Sequence, residues 1–101
     1  ITASPISPSQ GGNLEANFPE DKPYLFEFYQ EKKKKLSKDN IEISNITHYK
    51  YLEVYTFKRG QDFATIKFYY NNDGIFSSFE PDKGKSNSDD LISVITGKIY
   101  D

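Results

Sequence analysis

The stretch YKYLEVYTFKRGQDFATIKFYYNNDGIFSSFE, residues 49 to 80, decides the fold. It is dense in aromatic and β-branched residues, which suit a pleated, half-buried surface, and turn chemistry breaks it twice. The first break is Arg59-Gly60-Gln61-Asp62, where a two-residue Gly60-Gln61 loop with Gly leading fits a type II′ hairpin. Pairing Tyr49 to Lys58 with Phe63 to Tyr70 across that loop sets Phe57 against Ala64, Tyr55 against Ile66, Glu53 against Phe68 and Tyr51 against Tyr70 on one face. Lys58, Phe63, Thr56, Thr65, Val54, Lys67, Leu52 and Tyr69 fall on the other. The second break, Asn71-Asn72-Asp73-Gly74, predicts a type I′ hairpin with Asp73-Gly74 as its loop. Ile75 to Glu80 then returns with Phe68 opposite Phe79 and Lys67 opposite Glu80. An aromatic pair and an opposite-charge pair arise together in this register, whereas a slip of one residue would set Phe79 beside Lys67. The face carrying Phe57, Ile66, Phe68 and Phe79 is therefore expected to be the core side.

Outward from this meander, Ile41, Ile43 and Ile46 predict a short preceding strand. Asp21 reads as a helix N-cap and Lys22-Pro23 as a first turn, with apolar residues recurring at Leu25, Phe28, Tyr29 and Leu36. That predicts an amphipathic helix to about Lys38, ended by Asp39-Asn40. Its acids lie early and Lys32 to Lys35 lie late, which complements the helix dipole. Ser86 with Asp89 has the form of a capping box before a second helix carrying Leu91, Ile92, Ile95 and Ile99. Residues 1–20 hold three of the five prolines and a Gly pair and read as a flexible arm or linker, pinned at most by Leu14 and Phe18. The expected fold class is α+β: helix, antiparallel three- to four-stranded meander, helix, with both helices on one face of the sheet, over residues 21–101.

At 101 residues the chain suffices for one core, and its 8 Tyr and 8 Phe make that core one of rings. Without Cys, neither a disulfide framework nor a thiolate metal site can form. No apolar run has the length of a membrane-spanning helix, so the chain is expected to be soluble. Starting at Ile1, it is expected to be a processed protein or a piece of a longer one. A net charge of −2 argues against a surface that traps nucleic acid all over. Locally the balance differs, since residues 22–38 carry six Lys against Glu27 and Glu31 and residues 80–101 carry five acids against three Lys.

Candidates for chemistry are few. His48 is the single histidine, which excludes any triad or metal cluster needing two, and it is expected to be exposed or to sit on an edge strand. Acids at Asp89 and Asp90 are explained by the helix dipole, and Asp73 by its turn, so no metal is expected. No phosphate-cradling Gly loop precedes a helix, and no cofactor is expected. Asn45-Ile46-Thr47 matches a glycosylation pattern too short to carry weight. Two surfaces stand out as binding candidates. One is the run Lys32, Lys33, Lys34 and Lys35, whose ordinary reading is a solvated helix end with one or two stems packed on the core edge. The other is the second sheet face, where Lys50, Lys58 and Lys67 are interleaved with Phe63, Tyr69 and Phe76, a mixture that can stack bases and steady phosphates.

The helix–strand–strand–strand–helix order over residues 21–100 is similar in topology to that of double-stranded-RNA-binding domains, and more loosely to a cystatin-like arrangement. Asn87-Ser88-Asp89-Asp90 stands where the former place basic residues, so no residue role is carried over. The expectation is a non-catalytic accessory or interaction domain, part of a larger protein, binding a protein partner. The alternative is a nucleic-acid-binding module using the basic–aromatic sheet face and the Lys32–Lys35 run. A carboxylate-only hydrolase with Glu53 in play is the remaining class.

Overall fold

A computed structural model of the protein describes residues 14–100. A 3-10 turn, Leu14–Asn17, leads to helix α1, Pro23–Ser37; strands β1, Glu42–Tyr49, β2, Leu52–Arg59, β3, Asp62–Tyr70, and β4, Phe76–Asp82, follow. A second 3-10 turn, Lys83–Lys85, then precedes helix α2, Asp89–Tyr100. The strands form one antiparallel sheet in the order β1-β2-β3-β4, and both helices pack on the same face of it, giving an α+β fold. Any pairing of the arm's residues 1–13 lies outside the described residues.

The alternation expected across β2 and β3 is present: Phe57 pairs with Ala64, Tyr55 with Ile66 and Glu53 with Phe68. Gly60 takes a φ of 63° in the two-residue loop, a conformation that costs Gly nothing. On the covered face Tyr55, Phe57, Ala64, Ile66 and Phe68 are fully buried, and α1 and α2 supply Leu25, Tyr29, Leu36, Leu91 and Ile95 against them. The core is one of rings, with Phe28, Tyr55, Phe57, Phe76 and Phe79 all packed around Phe68. Each such pair adds about 0.5–1.5 kcal/mol beyond its buried area. Phe79 is only partly buried, contrary to expectation, because its strand is the sheet edge and its ring meets the exposed Tyr100 at 5.2 Å.

Several local readings need correction. Tyr49 to Lys58 is not one strand: β1 extends to Tyr49, the chain turns at Lys50-Tyr51, and β2 starts at Leu52. Tyr51 makes that turn at a φ of 63°, and its carbonyl accepts from the Tyr70 N–H at 2.9 Å. The loop between β3 and β4 is not type I′. Asn71 and Ile75 bracket a three-residue loop in which the Asn71 side chain accepts from the N–H groups of Asp73 and Ile75, and Gly74 alone has positive φ. Phe68 still faces Phe79 and Lys67 still faces Glu80, because β4 contains an extra residue, Ser77, between the pairs Tyr70–Phe76 and Tyr69–Ser78. That shift also turns Phe76 to the covered face, against Phe28 and Tyr70, and removes it from the second face.

At the helix ends, Lys22 and not Asp21 occupies the N-cap of α1, with no side-chain cap. Asn40 ends that segment at a φ of 62°. Ser88, not Ser86, caps α2 by accepting from the Leu91 N–H. Ser86 instead accepts from the Thr65 N–H and donates to the Asp82 carbonyl, fastening the loop after β4 to β3.

Two core hydroxyls, those of Tyr55 and Tyr70, are buried without a hydrogen-bond partner among the described residues. Burial raises both phenol pKa values above the ordinary 10.0, with nearby Glu53 acting in the same direction. The unfolded chain therefore ionises these tyrosines first, so their contribution to stability is intact below pH 10 and is lost as pH rises above it. Tyr55→Phe and Tyr70→Phe are expected to change stability at pH 7 by less than about 1 kcal/mol and to lessen the alkaline loss. Urea titrations at neutral pH and above pH 10 test this, and an unchanged alkaline slope would contradict it.

Candidate nucleic-acid interface

Because both helices lie on one side, the other side of the sheet is open, and the pleat presents there every second residue of each strand. Three rows cross it: Asn45, Thr56, Thr65 and Asp82; Thr47, Val54, Lys67 and Glu80; Tyr49, Leu52, Tyr69 and Ser78. Most of these residues border a shallow groove of about 340 Å³ that Lys85 closes at one side. Its middle is made of hydroxyl, amide and aliphatic groups, together with the opposed charges of Lys67 and Asp82. Thr65 is nearly buried under the loop after β4, donating its hydroxyl to the Lys85 carbonyl. The side-chain oxygen of Asn45 is buried and has no partner among the described residues.

Further cations sit toward the rim. Lys58 and Phe63 lie in the row toward the β2–β3 hairpin, with Lys83 and Lys85 in the adjoining loop, whereas Lys50 and the exposed Tyr49 and Tyr51 lie at the opposite end. Lys67, in the centre, is opposite Glu80 and 4.0 Å from Asp82, so its charge is largely compensated. Arg59 is taken up by Asp90 at 2.9 Å and Asp62 at 3.6 Å, and the hydrogen bond to Asp90 raises its already high pKa.

Of the candidate residues, Lys58, Lys67, Phe63 and Tyr69 are brought together on this face, and Lys50 stands at its tip. The Lys32–Lys35 run is not: it lies on α1, across the sheet from the open face. Lys32 is buried with its ammonium 4.9 Å from the Phe28 ring centre, Lys33 reaches Glu15, and Lys35 donates to the Lys98 carbonyl. The two candidate surfaces therefore cannot act as one.

Asn45, Thr47 and Tyr49 were missed. Their polar positions alternate with Ile46 and His48, a strand signal that ends only at the unrecognised turn. His48 sits on the edge strand β1, one of the two expected placements, but it is not exposed. Its side chain points to the covered face, 10% accessible, where Nδ1 is 2.6 Å from Oε1 of Glu53, itself 2% accessible, and Phe18 packs on the ring at 4.8 Å. Among the described residues no three His, Asp or Glu groups gather as a metal site. Nor is any described helix long and apolar enough to cross a membrane.

A family model described as the TATA-binding-like protein domain of the TOTE conflict systems matches residues 22–99. The chain belongs to this family. The matched span runs from the start of α1 to the end of α2, so the TATA-binding-like domain coincides with the sheet and its two helices. It replaces the topological likeness to double-stranded-RNA-binding domains, from which the fourth strand already separates it. No curated protein and no solved structure matches the chain significantly. As a TATA-binding-like domain of a conflict system it is a small domain of a larger system, and it works with that system's other components.

Proposed function

We propose that the domain binds double-stranded DNA through its open sheet face. The observation that supports this reading is the arrangement of that face: hydrogen-bonding and apolar side chains in the middle around the paired Lys67 and Asp82, further cations toward the rim. Strand-based readers lay a sheet against a DNA groove, and the minor groove presents acceptors on A·T pairs to which the Thr47 and Thr56 hydroxyls and the Asn45 amide can donate. Leu52, Val54, Tyr49 and Tyr69 supply apolar surface of the kind that minor-groove proteins press against base steps. The family's description, TATA-binding-like, points in the same direction.

Fluorescence anisotropy with short A·T-rich and G·C-rich duplexes tests it. The wild-type domain should favour the A·T-rich duplex. Val54→Glu places a carboxylate in the middle of the face without touching the core, and should weaken binding by about tenfold to hundredfold. Lys50→Ala and Lys58→Ala should each lower the slope of log affinity against log salt by about one, and the compensated Lys67 by less. Absence of duplex binding, or affinity indifferent to Val54→Glu, would overturn the reading.

A further inference from the structure

On the covered side of the sheet, a groove runs between α1 and the β3–β4 hairpin. Tyr24, Glu27, Phe28 and Glu31 follow the i, i+3, i+4, i+7 stripe of α1 and form one wall; Tyr70 and Phe76 form the other, around about 270 Å³. The aromatic walls are fixed against each other, with ring centres 6.1 Å apart for Tyr24 and Tyr70, 5.8 Å for Phe28 and Tyr70, and 5.4 Å for Phe28 and Phe76. Gly74 makes the closure possible. A Cβ there would lie 2.7 Å from Cζ of Tyr24, and its φ of 78° disfavours other residues.

The chemistry of this groove is that of a cation receptor. Ring faces are electronegative, none of the lining residues is basic, and two carboxylates stand at the mouth. The Glu27 carboxylate makes no ion pair or hydrogen bond among the described residues, and Glu31, 68% accessible, pairs with its neighbour Lys32. Lys32 shows within the chain what these rings accept, since its ammonium rests 4.9 Å from the centre of Phe28. We propose that the groove receives a Lys or Arg side chain from an extended segment of a protein partner. The carboxylates repel phosphate, so this occupant is not the nucleic acid proposed for the open face. The two sites lie on opposite sides of the sheet, and neither reading depends on the other.

The test is an NMR titration of the domain with short Gly-flanked peptides centred on Arg or Lys, their citrulline and acetyl-lysine counterparts, and tetramethylammonium chloride. The Arg and Lys peptides should give saturable shifts confined to Tyr24, Phe28, Tyr70, Gly74 and Phe76, and the neutral peptides none. The double variant Glu27→Gln/Glu31→Gln, at surface positions that leave the core intact, should weaken peptide binding about tenfold while DNA affinity stays unchanged. Absent or diffuse shifts, or shifts that survive the double variant, would overturn the site. Response to tetramethylammonium alone would overturn a protein side chain as the occupant.

Discussion

Phe68→Ala is expected to cost about 3–5 kcal/mol, a large part of the roughly 5–15 kcal/mol that stabilises a domain of this size. Phe68 is fully buried on β3, and the rings of Phe28, Tyr55, Phe57, Phe76 and Phe79 pack around it. These neighbours come from one helix and two strands, so they cannot all close on the space left, and the cavity term adds to the lost transfer energy. Tyr69, one residue on, faces the open side, where its hydroxyl reaches Glu80 at 3.2 Å. Tyr69→Ala should therefore cost far less. Chemical denaturation of both variants decides it, and comparable losses would mean that the two faces are not distinguished as described.

The second large effect is expected at His48. Removing it by His48→Ala leaves the Glu53 carboxyl buried without the partner now 2.6 Å away, and also removes the ring on which Phe18 packs. Breaking a buried pair from one side costs about 3–5 kcal/mol, most of it the penalty of the group left behind. Replacing both partners with apolar residues avoids that penalty. The double variant His48→Ala/Glu53→Leu should therefore unfold at a higher denaturant concentration than His48→Ala alone. A double variant no more stable than the single one would show that the loss comes from packing.

The meander was legible from residues 52 to 70 because two independent signals agreed there: strict alternation and a Gly placed where a positive φ is needed. The β1–β2 turn was not legible, since Lys50-Tyr51 has no turn residue and Tyr51 is held at positive φ against its own preference, a cost of about 1–2 kcal/mol borne by the strands on either side. Missing that turn hid Asn45, Thr47 and Tyr49, the β1 side of the candidate interface. The partner of His48 was hidden for the same reason: Glu53 is five residues away in sequence and directly opposite only once the hairpin exists. Lys32 to Lys35 illustrate another limit. Composition sees four equal charges, but the helix sends one of them over the core and commits two more to Glu15 and the Lys98 carbonyl.

The extra residue at Ser77 has a consequence for how this hairpin can change. The three-residue loop alone would advance β4 by one position and turn its core side chains outward; the bulge sets the strand back, so that Phe79 and Glu80 meet their partners. Loop and bulge thus behave as a frameshift and its suppressor written into the backbone. A single-residue deletion in either would scramble the strand, while deletions in both would leave it in phase, so the length of this hairpin can drift only by paired steps.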